Sequence, residues 1–322
     1  MSMLDNAIQS IQIGMEDFHE EDERRVLSAI RNLYAGILLL FKYKLQQLSP
    51  DGSDEALLKT KVLPAIDPAS GEVVWVGKGK KTVEVHDIID RLNTLGVRGV
   101  DWKLLNALQG IRNDIEHYFS PLPIERMKEA IANSLHLITQ FCEPHLDERP
   151  VEILGQECWD LMLSVTTVFD AELASCQTNL RSVEWPFQEV LDAMDHMVCP
   201  ECKSRLIKAV EPTAHRDAIT FMCQSCQSES LYIDVAGHAV EISMASVNHW
   251  RARQGDEPAT CICPECSYDT LLVHENECAA CFFEFEYAHC EWCEEALSIE
   301  ERLYSEGTCG YCQNRYDRMM AE

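Results

Sequence analysis

The chain has little positive charge. Its 322 residues include 27 Lys and Arg against 54 Asp and Glu, which gives a formal net charge of −27. This imbalance excludes a globally basic nucleic-acid-binding surface, because long-range repulsion opposes the approach of a polyanion. Hydrophobic residues make up 46% of the chain, which excludes wholesale disorder. Any contact with phosphate must therefore come from a local site.

Targeting and membrane signals are also missing. The first residues contain no basic segment followed by an apolar one, so the sequence predicts no secretory signal. The longest strongly apolar run, residues 33–41, is far shorter than the roughly 20 residues that cross a bilayer. There is no Walker loop, dinucleotide fingerprint, GxSxG motif or HExxH motif. We therefore expect a cytoplasmic protein without membrane contact.

Cysteine is scarce in the first part of the chain and abundant in the last. Only three of the 16 Cys precede residue 180, and twelve of the others form six CxxC pairs. One CxxC turn brings two thiolates to a metal ion at about 2.3 Å, and a second completes a tetrahedron. Taken in order, the pairs predict three structural Zn²⁺ sites in zinc ribbons. The twelve candidate ligands are Cys199, Cys202, Cys223, Cys226, Cys263, Cys266, Cys278, Cys281, Cys290, Cys293, Cys309 and Cys312.

Several alternatives stay open for these sites. Rubredoxin-like iron also suits four thiolates, and the last four pairs could interleave instead of pairing in order. Cys261 and His289 lie near the predicted ligands and could replace one of them. A site closed by four protein ligands folds its module and leaves no position for catalysis. Since residues 181–322 carry 10 Lys and Arg against 26 Asp and Glu, we expect this region to bind protein and not DNA.

The first part of the chain has a helical pattern. Apolar residues recur at steps of three and four from Val26 to Phe41, which predicts a long helix. β-branched residues on both sides of Gly77-Lys78-Gly79 predict a hairpin turn there. The expected fold class is mainly α: an N-terminal helical bundle with an inserted β-hairpin, followed by small β zinc-ribbon modules. The helices are expected over residues 20–47, 87–96, 101–119, 124–143 and 151–179.

The candidate catalytic residues lie on the helix predicted over residues 101–119. Its apolar residues form a core-facing stripe, and the polar side carries Arg112, Asn113, Glu116 and His117. A guanidinium can stabilise a phosphate, and an imidazole can transfer protons near neutral pH. The alternative is a surface helix on which Arg112 and Glu116 form an i,i+4 ion pair and His117 is merely polar.

The run Arg112-Asn113-Asp114-Ile115-Glu116-His117 resembles the R-x4-6-H signature of the HEPN superfamily. The resemblance covers roughly residues 1–180. It implies a helical bundle, and many members of that superfamily are metal-independent endoribonucleases that work as dimers, several of them in toxin–antitoxin or antiviral systems. His117 would then act as general base or acid at the 2′-hydroxyl or leaving oxygen, with Arg112 on the phosphate and Asn113 orienting either partner.

Together these features predict a metal-independent endoribonuclease, with no catalytic cofactor, that cleaves RNA as a homodimer. It would be a toxin or antiviral effector whose zinc ribbons recognise a protein partner or trigger. The alternatives are a catalytically silent HEPN-like dimeric scaffold or adaptor and, less favoured by the charge, a zinc-ribbon transcription or assembly factor. The expected segments are a HEPN-like bundle over 1–180, a linker helix over 181–197, zinc ribbon 1 over 198–236, a linker over 237–260, zinc ribbon 2 over 261–287 and zinc ribbon 3 over 288–322.

Overall fold

The computed structural model describes residues 2–20, 22–68, 70–118 and 123–320. Within these ranges, the side chains of Glu23, His117, Tyr118, Asp217 and Tyr304 lie outside the described part. The chain divides into two compact units, Met1–Ala171 and Glu172–Glu322. The finer division into six segments stays a prediction.

The first unit is a helical bundle with one antiparallel hairpin. Its strands are β1 (Lys59–Ile66) and β2 (Val73–Thr82). Its core includes Phe41, whose ring meets Phe141 edge-on at 4.6 Å and Trp102 at 5.2 Å between centroids. The helices are α1 (Met3–His19), α2 (Val26–Leu48), α3 (Val85–Thr94), α4 (Trp102–Tyr118), α5 (Ile124–Phe141), α6 (Pro150–Leu154) and α7 (Gln156–Arg181), which continues past the unit boundary.

Helix α1 is absent from the sequence-based expectation, and the helix expected over 20–47 begins at Val26, after a 3-10 turn at Glu23–Arg25. A capping box starts α1: the Ser2 hydroxyl accepts from the N–H of Asp5 at 3.0 Å, and the Asp5 carboxylate accepts from the N–H of Ser2 at 2.8 Å. α1 and α2 pack closely, because Gly36 has no Cβ to collide with Ile11.

Among the described residues, α2 is the one helix long and apolar enough to cross a membrane by length and composition. Its buried side chains, which include Leu33, Ile37 and Phe41, belong to the core of the bundle. Burial on the inside of a bundle requires the same apolar composition.

The hairpin exists, but its turn is not at Gly77-Lys78-Gly79 as expected. Val73 to Thr82 form one continuous strand, and the turn lies between β1 and β2, where the N–H of Gly71 donates to the C=O of Asp67 at 2.8 Å. Gly77 serves a different purpose. Its N–H donates to the C=O of Ser53 at 2.8 Å, and a Cβ there would collide with the Asp54 carbonyl oxygen.

The second unit contains two small three-stranded antiparallel sheets, in the orders β3-β4-β5 and β6-β7-β8. The first sheet consists of β3 (Ile207–Ala209), β4 (Thr220–Cys223) and β5 (Glu229–Leu231). The second consists of β6 (Thr260–Ile262), β7 (Asp269–Leu272) and β8 (Glu277–Cys278). The helices are α8 (Gln188–Asp192), α9 (His238–Gln254), α10 (Ile299–Tyr304) and α11 (Gly310–Met320).

Two of the expected segments of this unit contain helices. The stretch 237–260, expected as a linker, is mostly the helix α9, whose buried residues Ala239, Val240 and Met244 pack into the core of the first sheet. The third module, residues 288–320 as described, has α10 and α11 in place of ribbon strands, with one β-bridge between His289 and Ala296. The fold class itself is confirmed: a mainly helical first region with a hairpin, then small sheets that carry groups of four cysteines.

Candidate functional site

The six CxxC pairs assemble, in sequence order, into three groups of four cysteines each. In each of these four-cysteine groups the sulfur atoms lie within 4.8 Å of one another. The interleaved arrangement of the last four pairs is therefore not the one formed. The groups are Cys199, Cys202, Cys223 and Cys226; then Cys263, Cys266, Cys278 and Cys281; then Cys290, Cys293, Cys309 and Cys312.

The spacing of the sulfurs fits a tetrahedral metal ion. With metal–sulfur bonds of about 2.3 Å, the edge of the tetrahedron is about 3.8 Å. The Sγ atoms of Cys199 and Cys226 are 3.7 Å apart, as are those of Cys202 and Cys223. In the second group one such distance is 3.6 Å and another 3.7 Å, and in the third one is 3.7 Å. Each group could therefore hold one structural zinc ion.

One turn recurs at five of the six pairs and explains why the sulfurs converge. The residue after the second Cys has φ between 59° and 66°, and its N–H donates to the carbonyl of the first Cys at 2.8–3.0 Å. The N–H of the first Cys donates back across the turn at 2.7–3.0 Å. This closed turn directs both thiols to the same side. The residues with positive φ are Lys203, Gln227, Ser267, Phe282 and Glu294.

Backbone N–H groups also contact the sulfurs, which favours the thiolate form that binds metal. The N–H of Cys202 donates to Cys199 Sγ at 3.5 Å. The N–H of Cys309 donates to Cys290 Sγ at 3.3 Å and is the main cause that lowers the pKa of Cys290 to about 6. These contacts stabilise negative charge where a cation would sit.

The remaining cysteines differ from the grouped ones in their surroundings. Burial raises the pKa of Cys142 to about 12 and that of Cys158 to about 11. Burial also raises the pKa of Cys261, which lies in β6 outside the second four-cysteine group. His289 likewise belongs to none of the three groups. Neither Cys261 nor His289 therefore replaces a predicted ligand.

Arg112 lies at the centre of a charged cluster on α4. Its Nη2 is 2.7 Å from Glu116 Oε2, one helical turn along, and its Nη1 donates to Asn113 Oδ1 at 3.0 Å. The other Glu116 oxygen accepts from Arg31 Nε of α2 at 3.1 Å. The two guanidiniums and one carboxylate leave one net positive charge. The Arg112–Glu116 ion pair that the purely structural alternative predicts is thus present, and Arg31 supplies a second cation.

Tyr34 of α2 packs beside this cluster. The Arg112 guanidinium lies over the Tyr34 ring, 5.8 Å from its centroid. Burial raises the pKa of Tyr34, while the charge of Arg112 acts to lower it. The Arg112 side chain keeps 35% of its surface exposed, so a ligand can still reach it.

His117 belongs to α4 through its backbone, but its side chain lies outside the described residues. Buried Arg126 of α5 contacts this part of α4: it forms an ion pair with Glu129, and its Nη2 lies 3.9 Å from Asp114 Oδ2.

Sequence reasoning missed Arg31, Tyr34 and Arg126 as neighbours of the motif. Arg31 and Glu116 are separated by 85 residues along the chain. No local pattern in a single sequence connects them, because the contact depends on the packing of α2 against α4.

Comparisons with models of protein families, with curated proteins and with solved structures find no match for this chain.

Proposed function

We propose that the protein is an endoribonuclease of HEPN type, in which Arg112, Asn113 and His117 cleave RNA without a catalytic metal ion. The observation that supports the proposal most strongly is the cluster at Arg112. In a chain with a net charge of −27, two guanidiniums meet a single carboxylate on a partly exposed helix face. A local excess of positive charge is what a phosphodiester requires from so acidic a protein.

The proposed reaction uses the neighbouring 2′-hydroxyl as nucleophile. A base removes its proton as the 2′-oxygen attacks phosphorus, the bond to the 5′-oxygen breaks, and an acid protonates that oxygen. The products carry a 2′,3′-cyclic phosphate and a 5′-hydroxyl. Arg112 stabilises the charge on the phosphoryl oxygens, and His117 transfers one of the two protons. Since one imidazole cannot serve as base and acid in the same step, we propose a homodimer that brings two motifs into one cleft.

The zinc-bearing unit has a separate role in this proposal. Its residues 181–322 carry a net charge of −16 before metal, and each Zn²⁺ with four thiolates adds two further negative charges. We infer that it binds a protein, either an inhibitor or a trigger, and does not hold the RNA. The proposed location of the enzyme is the cytoplasm.

The test is cleavage of total RNA by the purified zinc-loaded protein during brief exposure to excess EDTA. We expect Arg112→Ala to lower the rate by about 10²–10³-fold and His117→Ala by about 10²–10⁴-fold. Arg149→Ala is the matched control for Arg112, because Arg149 also forms an exposed helical ion pair, with Glu152. His249→Ala is the control for the imidazole. Cleavage that survives both active-site substitutions would refute the proposal.

A second candidate function is a dimeric scaffold without activity. The 2.7 Å contact between Arg112 and Glu116 favours it, because it already occupies the cation with a partner in the chain. The two candidates differ in one outcome. A scaffold cleaves no RNA at any concentration at which it is dimeric, whereas the enzyme does so in EDTA.

A further inference from the structure

A groove lies between α2 and α4, with His86 and Ile89 of α3 also in its lining. Its volume is about 590 Å³. α2 contributes Tyr34 and Lys42 to its lining, α4 contributes Trp102, Asn106 and Gln109, and the end of β2 contributes Thr82. Tyr34 also lies under the Arg112 guanidinium. The groove and the Arg112 cluster therefore share Tyr34, although Arg112 itself does not line the groove.

The two helices are antiparallel along this seam, which fixes the order of groups in the groove. At one end Arg31 meets Glu116 and Tyr34 meets Arg112. At the other end Lys42 and Trp102 line the same groove. Eight residues of α2 separate Tyr34 from Lys42, which corresponds to about 12 Å along the helix axis. Asn106, Gln109 and Asn113 follow at steps of three and four, so they form one polar row on α4.

The far end of the groove is basic. The Lys42 ammonium donates to the Thr82 hydroxyl at 3.0 Å, and this side chain is half-buried. Burial lowers the pKa of Lys42, and the carboxylate of Glu84 opposes that shift. Glu84, which also lines the groove, is itself paired with Lys81 at 3.0 Å. The carboxylate in the lining of the groove thus also has a lysine partner outside the lining.

The hairpin, whose strand β2 reaches the groove at Thr82, carries further lysines. Lys61 and Lys78 stand opposite each other in the register of β1 and β2, and Lys80 follows on the same face of β2 as Lys78. Like charges directly opposite each other destabilise a strand pair. Among the described residues, none of these three lysines has an ion-pair partner, whereas Lys59 is paired with Glu55 at 3.2 Å. An anionic ligand beside the hairpin would relieve this repulsion.

We propose that the groove between α2 and α4 binds a single-stranded segment of the RNA substrate and guides it to Arg112. Lys42 and the hairpin lysines hold phosphates, and the amides of Asn106 and Gln109 hydrogen-bond to base edges or 2′-hydroxyls. The inference rests on the proposed function, because it takes RNA as the substrate. A groove of this volume can hold unstacked nucleotides.

The alternation of charge supports this ligand. Lys42 and the neutral amides of Asn106 and Gln109 line the groove, and Arg112 contacts its Tyr34, which matches a polyanionic backbone that carries uncharged base edges. A protein partner of the acidic kind would also approach cations, but it would not need the amide row. We therefore assign the groove to RNA.

The test is binding without cleavage. Fluorescence anisotropy measures the affinity of a short labelled single-stranded RNA for the full chain that carries His117→Ala, across about 50–200 mM salt. Loss of one phosphate contact in Lys42→Gln is expected to weaken binding about tenfold and to reduce the slope of log K against log salt by about 0.7. Lys42→Arg keeps the charge and is expected to preserve the slope.

Lys44→Gln is the matched control. Lys44 follows Lys42 by two residues, so it lies on the opposite side of α2, and it does not line the groove. Its removal is expected to leave the slope unchanged. An equal effect of the two glutamine substitutions, or tighter binding of a duplex of the same sequence, would overturn the proposal.

The result also separates the groove from the nuclease. If the unsubstituted protein cleaves RNA while Lys42→Gln binds with unchanged affinity and slope, the groove assignment is wrong and the enzyme stands. If no cleavage occurs while Lys42→Gln loses affinity, the groove stands and the endoribonuclease proposal is wrong.

Discussion

Arg112 and Glu116 form an ion pair of 2.7 Å on one face of α4. The pair is compatible with both interpretations of the motif, a structural ion pair and an active site. The Glu116 carboxylate orders the Arg112 side chain, and it also competes with phosphate for the Arg112 guanidinium. The second contact of Glu116, to Arg31 at 3.1 Å, keeps an additional cation at the same place. The cluster therefore has the features of both a structural ion pair and an anion-binding site.

Removal of this carboxylate is expected to improve RNA binding. Glu116→Gln frees both guanidiniums and removes a charge that repels phosphate, so we expect KM for RNA to fall roughly tenfold. The free energy of unfolding should fall by no more than about 2 kcal/mol, because Glu116 forms two ion pairs and each pair near the surface contributes about 0.2–1 kcal/mol. Steady-state cleavage of a labelled RNA measures KM.

Glu152→Gln is the control for Glu116→Gln, because it releases Arg149 from an ion pair between residues about one helical turn apart. It is expected to leave KM unchanged. A rise in KM for Glu116→Gln would contradict the account and would indicate that Glu116 positions the arginine for substrate.

The four-cysteine groups predict the number of zinc ions that the protein binds. The intact chain should contain three zinc ions, and Cys202→Ser should reduce this number to two, because a structural site rarely persists with three thiolates. Cys261→Ser should retain all three, since Cys261 lies outside the groups. Elemental analysis by mass spectrometry after gel filtration provides the count. Loss of an ion in Cys261→Ser would assign that thiol to a site.

The zinc sites were predictable because their information is local. Two thiols three residues apart must share one turn, and the metal needs four of them. Their pairing required the structure. The turn itself had no sequence signal, because its left-handed position is filled by residues such as Lys203 and Phe282 and not by glycine.

This strained position yields a stability prediction. Gln227 is exposed, and its φ is 62°. Gln227→Gly removes the cost of a left-handed side chain and should stabilise the zinc-loaded protein by about 0.5–1 kcal/mol after the entropy of glycine is subtracted. Gln227→Val should destabilise it, because a β-branched side chain fits this conformation worst. Thermal unfolding of the two variants compares them, and a lower Tm for the glycine variant would refute the explanation.

The close packing of α1 on α2 gives a second stability prediction. A Cβ at Gly36 would lie 2.6 Å from Ile11 Cγ1 and 2.9 Å from the Ala7 carbonyl oxygen. Gly36→Ala should therefore destabilise the bundle by about 1–3 kcal/mol. Gly110→Ala is the control in α4, where a Cβ meets nothing within 4 Å, and it should stabilise by up to about 1 kcal/mol. Denaturant unfolding measures both, and equal effects would contradict the packing.

Some other features could not be predicted because they depend on tertiary structure. Gly77 resembles a turn residue in sequence, yet it is a point of close backbone approach to Ser53, which depends on tertiary structure. In the third module, by contrast, the sequence carries a local signal for the start of a helix. Ser298 and Glu301 form a capping box that starts α10, with the Ser298 hydroxyl accepting from the N–H of Glu301 at 3.3 Å.

The most direct test of the central claim uses a defined single-stranded RNA with one 2′-deoxy substitution at the mapped cleavage position, incubated with the protein in EDTA. The account predicts cleavage of the unmodified RNA to a 2′,3′-cyclic phosphate and a 5′-hydroxyl. It also predicts loss of that cut when the 2′-hydroxyl is absent or when His117→Ala is used. Cleavage that persists at the deoxy position, or ends that carry a 5′-phosphate, would contradict it.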